Sequence, residues 1–348
     1  MLLFLLTGLY ATGQQLSLNE NPYGPPKGVE KSIIREMAHI ARYPGNEPSV
    51  LITAIAKREG VGEDQIIIGE ILEQLGIYLG LKGGEFIYAV PGYPVLVNAA
   101  AKVGGRVVSV PLNDKKENDL AAIADSVNDN TRAVFLVNPH NPSGTVTDRK
   151  TFYDFLHQVS RQALVIVDEA YLEYSDDFEG RTAVNNIRAG DNVMVFRTFA
   201  KAYGLAGLSI GYCVASQSTA KWLKEQGLGN VHDLNRLSVV AGIAALKDTA
   251  YITHLNKVVT AERNKWNQLL DSLGLQHTHS QGNFVYFDTG KPYDAVAPAF
   301  KEKGILIGRA FAPYNTWIRI SIGLPVENLK AQAVVRRIFL SHSRGTAD

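Results

Sequence analysis

Four segments of the chain hold the side chains best suited to chemistry: Asn138-Pro-His-Asn-Pro-Ser-Gly144, Val167-Asp-Glu-Ala-Tyr171, Thr198-Phe-Ala-Lys-Ala-Tyr-Gly-Leu-Ala-Gly207 and Trp317-Ile-Arg-Ile-Ser-Ile-Gly323. Each falls at the end of a strand candidate, where ligands bind in open α/β sheets. Singly, each has a structural reading. Asp168 could cap a helix, Lys201 could be a solvated lysine, and the Asn138–Gly144 stretch could be a turn-rich connection. All four in this order and spacing shift the balance toward a site. Other candidates carry less. His277 and His279 alternate and could face one metal, yet no carboxylate run accompanies them, so a surface pair is the simpler reading. Ser143 has no base beside it in sequence, which favours a turn role over nucleophilic catalysis. Asp176 and Asp177 read as solvated.

The elements that must position these residues follow from hydropathy. Short apolar runs occur at Gln65–Ile68, Glu85–Val90, Arg106–Val110, Ala133–Val137, Leu164–Val167, Asn192–Phe196 and Ile210–Val214. Most lack polar alternation, as strands buried on both faces do. Helical patterns separate them. In one, Phe152, Phe155, Leu156 and Val159 recur at helical spacing behind Thr147, the expected N-cap. Strand and helix in alternation predict an α/β fold with a mainly parallel seven-stranded sheet. Beyond it, helical patterns over about 235–273, strand-like Asn283–Asp288 and Trp317–Ile322, and a helix over 326–341 predict a smaller α+β domain. The expected division is an N-terminal segment (1–40) returning to the small domain, a large domain (41–235) and a small one (236–348), with the site between them.

Composition narrows the function classes. With 348 residues, 46% of them hydrophobic, the chain can bury two cores. Its 35 basic and 34 acidic residues leave a net charge of +1, which argues against nucleic acid as a partner. Cys213 is the single cysteine, so neither an intrachain disulfide nor a cysteine-ligated zinc site can form, and no metal is expected. Leu2 to Tyr10 is apolar but too short to span a bilayer and has no basic residue before it, so a soluble protein is expected. The expected location is the cytoplasm; the alternative is the periplasm, should the apolar start belong to an export signal.

Together the four segments resemble the fold type I pyridoxal-phosphate enzymes of the aspartate aminotransferase superfamily, and most nearly the histidinol-phosphate aminotransferase-like branch. Leu18-Asn-Glu-Asn-Pro-Tyr-Gly-Pro25, Arg42-Tyr-Pro-Gly45, Pro91-Gly-Tyr-Pro94 and Ser280-Gln-Gly-Asn-Phe284 extend the resemblance over roughly residues 16–340. It implies pyridoxal 5'-phosphate as cofactor and Lys201 as the Schiff-base lysine. By the same resemblance Asp168 pairs with the pyridine nitrogen, Tyr171 and Asn141 bond the ring's phenolic oxygen, Tyr93 stacks on the ring, and Thr198 and residue 209 serve the phosphate. Arg319 grips the substrate carboxylate with its two-pronged guanidinium. Tyr23 and Arg309 belong to the substrate pocket. Tyr43 reaches the neighbouring subunit's cofactor, which implies a homodimer.

Two departures from the family fall on the phosphate end. The family's GLAGLR pattern reads GLAGLS here, placing Ser209 where an arginine is usual. The glycine- and serine-rich turn before the first large-domain helix is about four residues short, reading Ile66-Ile-Ile-Gly-Glu-Ile-Leu72. Loss of a charge-assisted bond worth about 1.5–3 kcal/mol should weaken phosphate binding. Three functions remain open at this level: an aminotransferase acting on an amino donor and a 2-oxo acid, a lyase or decarboxylase on the same scaffold, and a non-catalytic relative.

Overall fold

The computed structural model describes residues 13–340; the apolar stretch from Leu2 to Tyr10 lies outside the described residues. Its strands are β1 (Gln14–Leu16), β2 (Ile66–Ile68), β3 (Glu85–Val90), β4 (Arg106–Pro111), β5 (Thr131–Val137), β6 (Leu164–Asp168), β7 (Val193–Thr198), β8 (Gly211–Val214), β9 (Phe284–Asp288), β10 (Ile305–Ile307) and β11 (Trp317–Ser321). Seven of them form one sheet in the order β2-β8-β7-β6-β5-β3-β4. Only β8 runs against its neighbours. All seven strands expected from hydropathy are present, within a residue or two at their ends.

Successive residues of a strand point to opposite faces, and here each face meets its own core. Val134 and Leu136 join helices 47–59, 149–159 and 236–247 on one side, while Ala133, Phe135 and Val137 join helices 72–80, 95–101 and 217–225 on the other. Double coverage explains why the strands show no polar alternation. Helix Arg236–Lys247, grouped on sequence with the C-terminal part, sends Val239, Ala241 and Ala245 into the first of these cores. Helix Arg149–Val159 is capped by Asp148, not Thr147: the Asp148 side chain accepts from the Thr151 amide at 3.0 Å, one residue closer to the first free N–H groups.

A separate core gathers helices 249–272, 293–301 and 325–340 around the antiparallel pair β9–β11, with Trp266 fully buried among them. Strand β1 pairs in parallel with β10, so the chain's described start is sewn into this C-terminal unit. Among the described residues no helix is long and apolar enough to cross a membrane.

Beneath the C-terminal edge of the large sheet lies a buried ionic network. Glu169 and Arg197 sit one residue from Asp168 and Thr198, so they point away from the face that those two occupy. Arg197 Nη2 is 2.7 Å from Glu169 and 3.6 Å from Glu59, and Nη1 is 3.6 Å from Glu173. Arg58 bridges Glu59 and Glu173 at 3.5 and 3.6 Å. Burial alone would lower the Arg197 pKa, but Glu59 and Glu169 hold it well above its ordinary value. Removing one member of such a network strands the opposite charges in a dry interior. Arg197→Ala should therefore cost on the order of 3–5 kcal/mol. The readout is the midpoint of chemical unfolding, and a midpoint equal to the parent's would show that the network contributes nothing.

Candidate active site

The C-terminal ends of β6 and β7 open onto a cavity of ≈370 Å³ lined by Asp168, Tyr171, Lys201, Asn141, Tyr93, Thr198, Ser209 and Glu70, among others. Asp168 ends a central strand and is 8% exposed. Its Oδ1 accepts from the Ala170 amide at 3.0 Å. Burial, assisted by nearby Glu70, pushes its pKa up to about 6 against the opposing pull of the Ala170 N–H and Lys201. After β7 the Thr198 hydroxyl accepts from the Ala200 amide at 3.0 Å, turning the chain so that Lys201 faces back into the cavity. Its Nζ donates to the Leu18 carbonyl at 3.1 Å.

Tyr171 is buried edge-on against Phe284. Its hydroxyl oxygen accepts from Asn19 Nδ2 at 3.1 Å and Asn141 Nδ2 at 3.4 Å. Asn141 Oδ1 in turn accepts from Arg319 Nη1. Arg319 lies behind this wall, 7% exposed, with Nη2 donating to the Ser17 carbonyl at 2.6 Å and Nε buried without a partner. The structure thus brings Lys201, Asp168, Tyr171, Asn141, Tyr93, Thr198 and Ser209 to one cavity, with Arg319 one side chain away. Tyr23 and Arg309 are not in its wall: Tyr23 packs against the C-terminal core, and the Arg309 guanidinium lies 4.5 Å from the centre of the Phe311 ring. Tyr43 is 75% exposed and also stands outside it.

Several members have no counterpart in the sequence reading. Glu70 occupies the far end, its carboxylate accepting from Thr198 Oγ1 at 2.8 Å. Asn19 and Asn21 strap the N-terminal segment across the cleft: Asn21 Nδ2 donates to the Ala202 carbonyl and Asn19 bonds Ser321. Ser143 does have a base beside it, because the turn folds His140 Nδ1 to 2.9 Å from its Oγ. Both are buried, burial lowers the His140 pKa to about 3, and Ser143 is tied onward to Thr145 at 2.8 Å. A neutral, solvent-shielded chain of this kind staples the turn. His277 pairs with Asp271 at 3.0 Å, its ring 6.1 Å from that of His279.

The profile of the family "Aminotransferase class I and II" matches residues 12–336. This chain belongs to the class I and II aminotransferases. It is 34% identical over 332 residues to histidinol-phosphate aminotransferase 1 of Cupriavidus pinatubonensis, covering 93% of this chain and 87% of that protein. Against the histidinol-phosphate aminotransferase of Limosilactobacillus fermentum it is 33% identical over 328 residues, covering 92% and 90%. Among solved structures, the histidinol-phosphate aminotransferase from Sinorhizobium meliloti in complex with pyridoxal-5'-phosphate superimposes with a TM-score of 0.84 at 30% identity, covering 95% of this chain and 91% of that one. The fold is therefore type I, the reaction class is transamination, and the cofactor is pyridoxal 5'-phosphate. The ring end of the cavity fits that cofactor: a buried carboxyl, a phenol held by two amides and an amine converge there.

A carboxyl with a raised folded-state pKa favours the protonated fold. Stability is thus fully present below the unfolded value near 3.8 and falls as pH rises through about 6. Asp168→Asn keeps the acceptor for Ala170 and removes the charge, so without cofactor it should melt higher than the parent at pH 8, by up to about 3 kcal/mol, and no higher at pH 4. Thermal melts of the two cofactor-free proteins at both pH values give the answer; equal melting at pH 8 would refute a buried, strained carboxylate.

Proposed function

We propose that the chain moves an amino group between a donor of the histidinol-phosphate type, an amino-alcohol phosphate or an amino acid, and a 2-oxo acid acceptor. The observation that carries this reading is the convergence of Lys201, Asp168, Tyr171 and Asn141 on one cavity. When bound, pyridoxal phosphate supplies an electron sink for the bonds at the substrate's amino carbon. Lys201 supplies the amine that holds the cofactor and then carries one proton between two carbons, first in one direction and, with the acceptor, in the other. Asp168 keeps a proton on the ring nitrogen. Pairing with that cation removes the cost of its burial. Tyr171, oriented by Asn19 and Asn141, would donate to the phenolic oxygen, and Tyr93 would help hold the ring.

Arg319 is the carboxylate receptor in this reading. It is pre-aimed by Asn141 and the Ser17 carbonyl, and its Nε has no other partner. Tyr23 and Arg309 serve the substrate's distal end. The assembly is a homodimer with shared sites, supported by a surface on which Ile34, Met37, Ile40, Tyr43 and Val50 are all exposed. Tyr43 then completes the partner's phosphate end. A cytoplasmic location belongs to the reading, with small-molecule substrates as partners; free, buried Cys213 calls for no oxidising compartment.

Lys201→Ala should abolish the visible absorbance of the bound cofactor and slow transfer at least 10²–10⁴-fold. A screen of histidinol phosphate and amino acids against a trapped oxo-acid acceptor should yield the donor's carbonyl product; carbon dioxide without that product would overturn transamination. Sedimentation should find a dimer, and a fully active monomer would remove Tyr43 from the site.

A further inference from the structure

Resting on that reading, the far end of the cavity carries a second message. It is bounded by Gly69, Glu70, Thr198 and Ser209, and Gly69, Glu70 and Ser209 also line a neighbouring cavity of ≈610 Å³. With Asp168 at the ring nitrogen, Gly69, Thr198 and Ser209 would be the residues that hold the cofactor's phosphate. The shortened turn explains how a carboxylate comes to be there. Gly69 still pairs with β8, its amide donating to the Gly211 carbonyl at 2.9 Å, and only Glu70 and Ile71 separate it from helix 72–80. With no turn residues to carry it away, Glu70 is delivered against Thr198. A methyl group added at Gly211 would lie 2.9 Å from Glu70 Oε1, so the carboxyl is also packed against the start of β8.

No fixed cation balances it. Ser209 takes the arginine position with a left-handed backbone (φ 47°) and a neutral hydroxyl. The Arg197 guanidinium is committed to the carboxylates on the opposite face. The other ionisable residues lining the same cavity are Lys201, Asp168, Tyr93, Tyr171, Arg197 and Glu73, and Tyr78 and Asp233 line the adjoining one. Apart from Arg197, held by Glu169, Lys201 is the cation among these, and attachment of the cofactor would use up its free amine. Glu70 is exposed to the open cavity, and the partial loss of solvent around its carboxyl raises its pKa, against the opposing effects of Thr198 and Lys201.

We propose that Glu70 is a proton-dependent determinant of cofactor affinity: a phosphate ester enters this end only when the Glu70 carboxyl has taken up a proton and donates to it. A phosphate ester with close to two negative charges and an ionised carboxylate repel each other at contact, whereas a protonated carboxyl offers one O–H donor. The sign follows. Below the pKa of Glu70 in the free protein, affinity for the phosphorylated cofactor is independent of this group. Above it, affinity falls by up to tenfold per pH unit.

The test uses pyridoxamine 5'-phosphate, which has no covalent link to Lys201, and unphosphorylated pyridoxamine, titrated calorimetrically into the cofactor-free full chain from pH 5.5 to 8.5. The phosphate's own ionisation, with a second pKa of about 6, is common to parent and variant, so their difference isolates Glu70. Glu70→Gln should tighten pyridoxamine 5'-phosphate at least tenfold at pH 8, by a margin that shrinks as pH falls toward 5.5, and leave pyridoxamine nearly unaffected. The parent should also take up more protons on binding than the variant, read from two buffers of different ionisation heat; uptake by the parent needs no variant that folds. Equal affinity and equal proton uptake in parent and Glu70→Gln would overturn the role of Glu70. Borohydride trapping of pyridoxal phosphate on Lys201, located by mass spectrometry, separates the two levels: trapping with no Glu70 effect sinks only this inference, and no trapping in either protein sinks the cofactor site with it.

Discussion

The buried pair of Glu169 and Arg197 is the constraint on which the site depends. Strand period places these residues on the face opposite Asp168 and Thr198, so the ion pair fixes β6 and β7 relative to each other directly behind the residues that face the cavity. Thr182 donates to Glu169, as does the Ala183 amide, and the Arg197 guanidinium covers the Phe178 ring. A charge held this tightly on one face allows another, Asp168, to sit uncompensated on the other. Packing around the strand ends leaves neither strand free to shift and relieve it. The chain thus pairs one buried carboxylate with a fixed cation and leaves its neighbour with a backbone amide and an open side, and only the latter faces the cavity.

The second dependency is the N-terminal strap. Residues 17–21 contribute the carbonyls that receive Arg319 and Lys201 and the amide that positions Tyr171. They are anchored on the C-terminal unit through Ser321 and Asn283 and on the sheet side through Ala202. The two cores therefore meet at the site through a short polar segment whose two asparagine side chains are both hydrogen-bonded. Such a segment transmits any movement of the C-terminal unit to the tyrosine and lysine, because its bonds cannot lengthen without being lost. At the other end of the cavity the order is looser: hydroxyls and one carboxyl stand where a fixed cation would give the tightest hold on a phosphate.

Much of this was legible in the residues alone. Six strands of the large sheet show in hydropathy because burial on both faces removes polar residues from them, while edge strand β4, largely exposed or half-buried, shows through its valines. Asp168, Lys201, Tyr171 and Asn141 show because their segments end strands in a fixed order. By contrast β1 and β10, three residues each, are too short for a period and pair across nearly the whole chain. The N-cap moves from Thr147 to Asp148 because capping turns on where the chain enters the helix, which residue type does not specify when two capable residues adjoin. Helix Arg236–Lys247 has an apolar face that suits either core, and only its neighbours decide between them.

The chemistry of the ring end was thus determined by sequence, since it needs particular functional groups at strand ends and the sheet's topology places strand ends together. What the tertiary structure alone decided is how far-apart polar groups share protons and charge: His140 closing on Ser143, Asn19 reaching Tyr171 across 152 positions, and Glu70 turning into the phosphate end. A shortened turn reads in sequence only as missing residues. Which side chain then swings into the gap depends on the direction of the helix that follows and on the strand still pairing behind it, and those are set by packing.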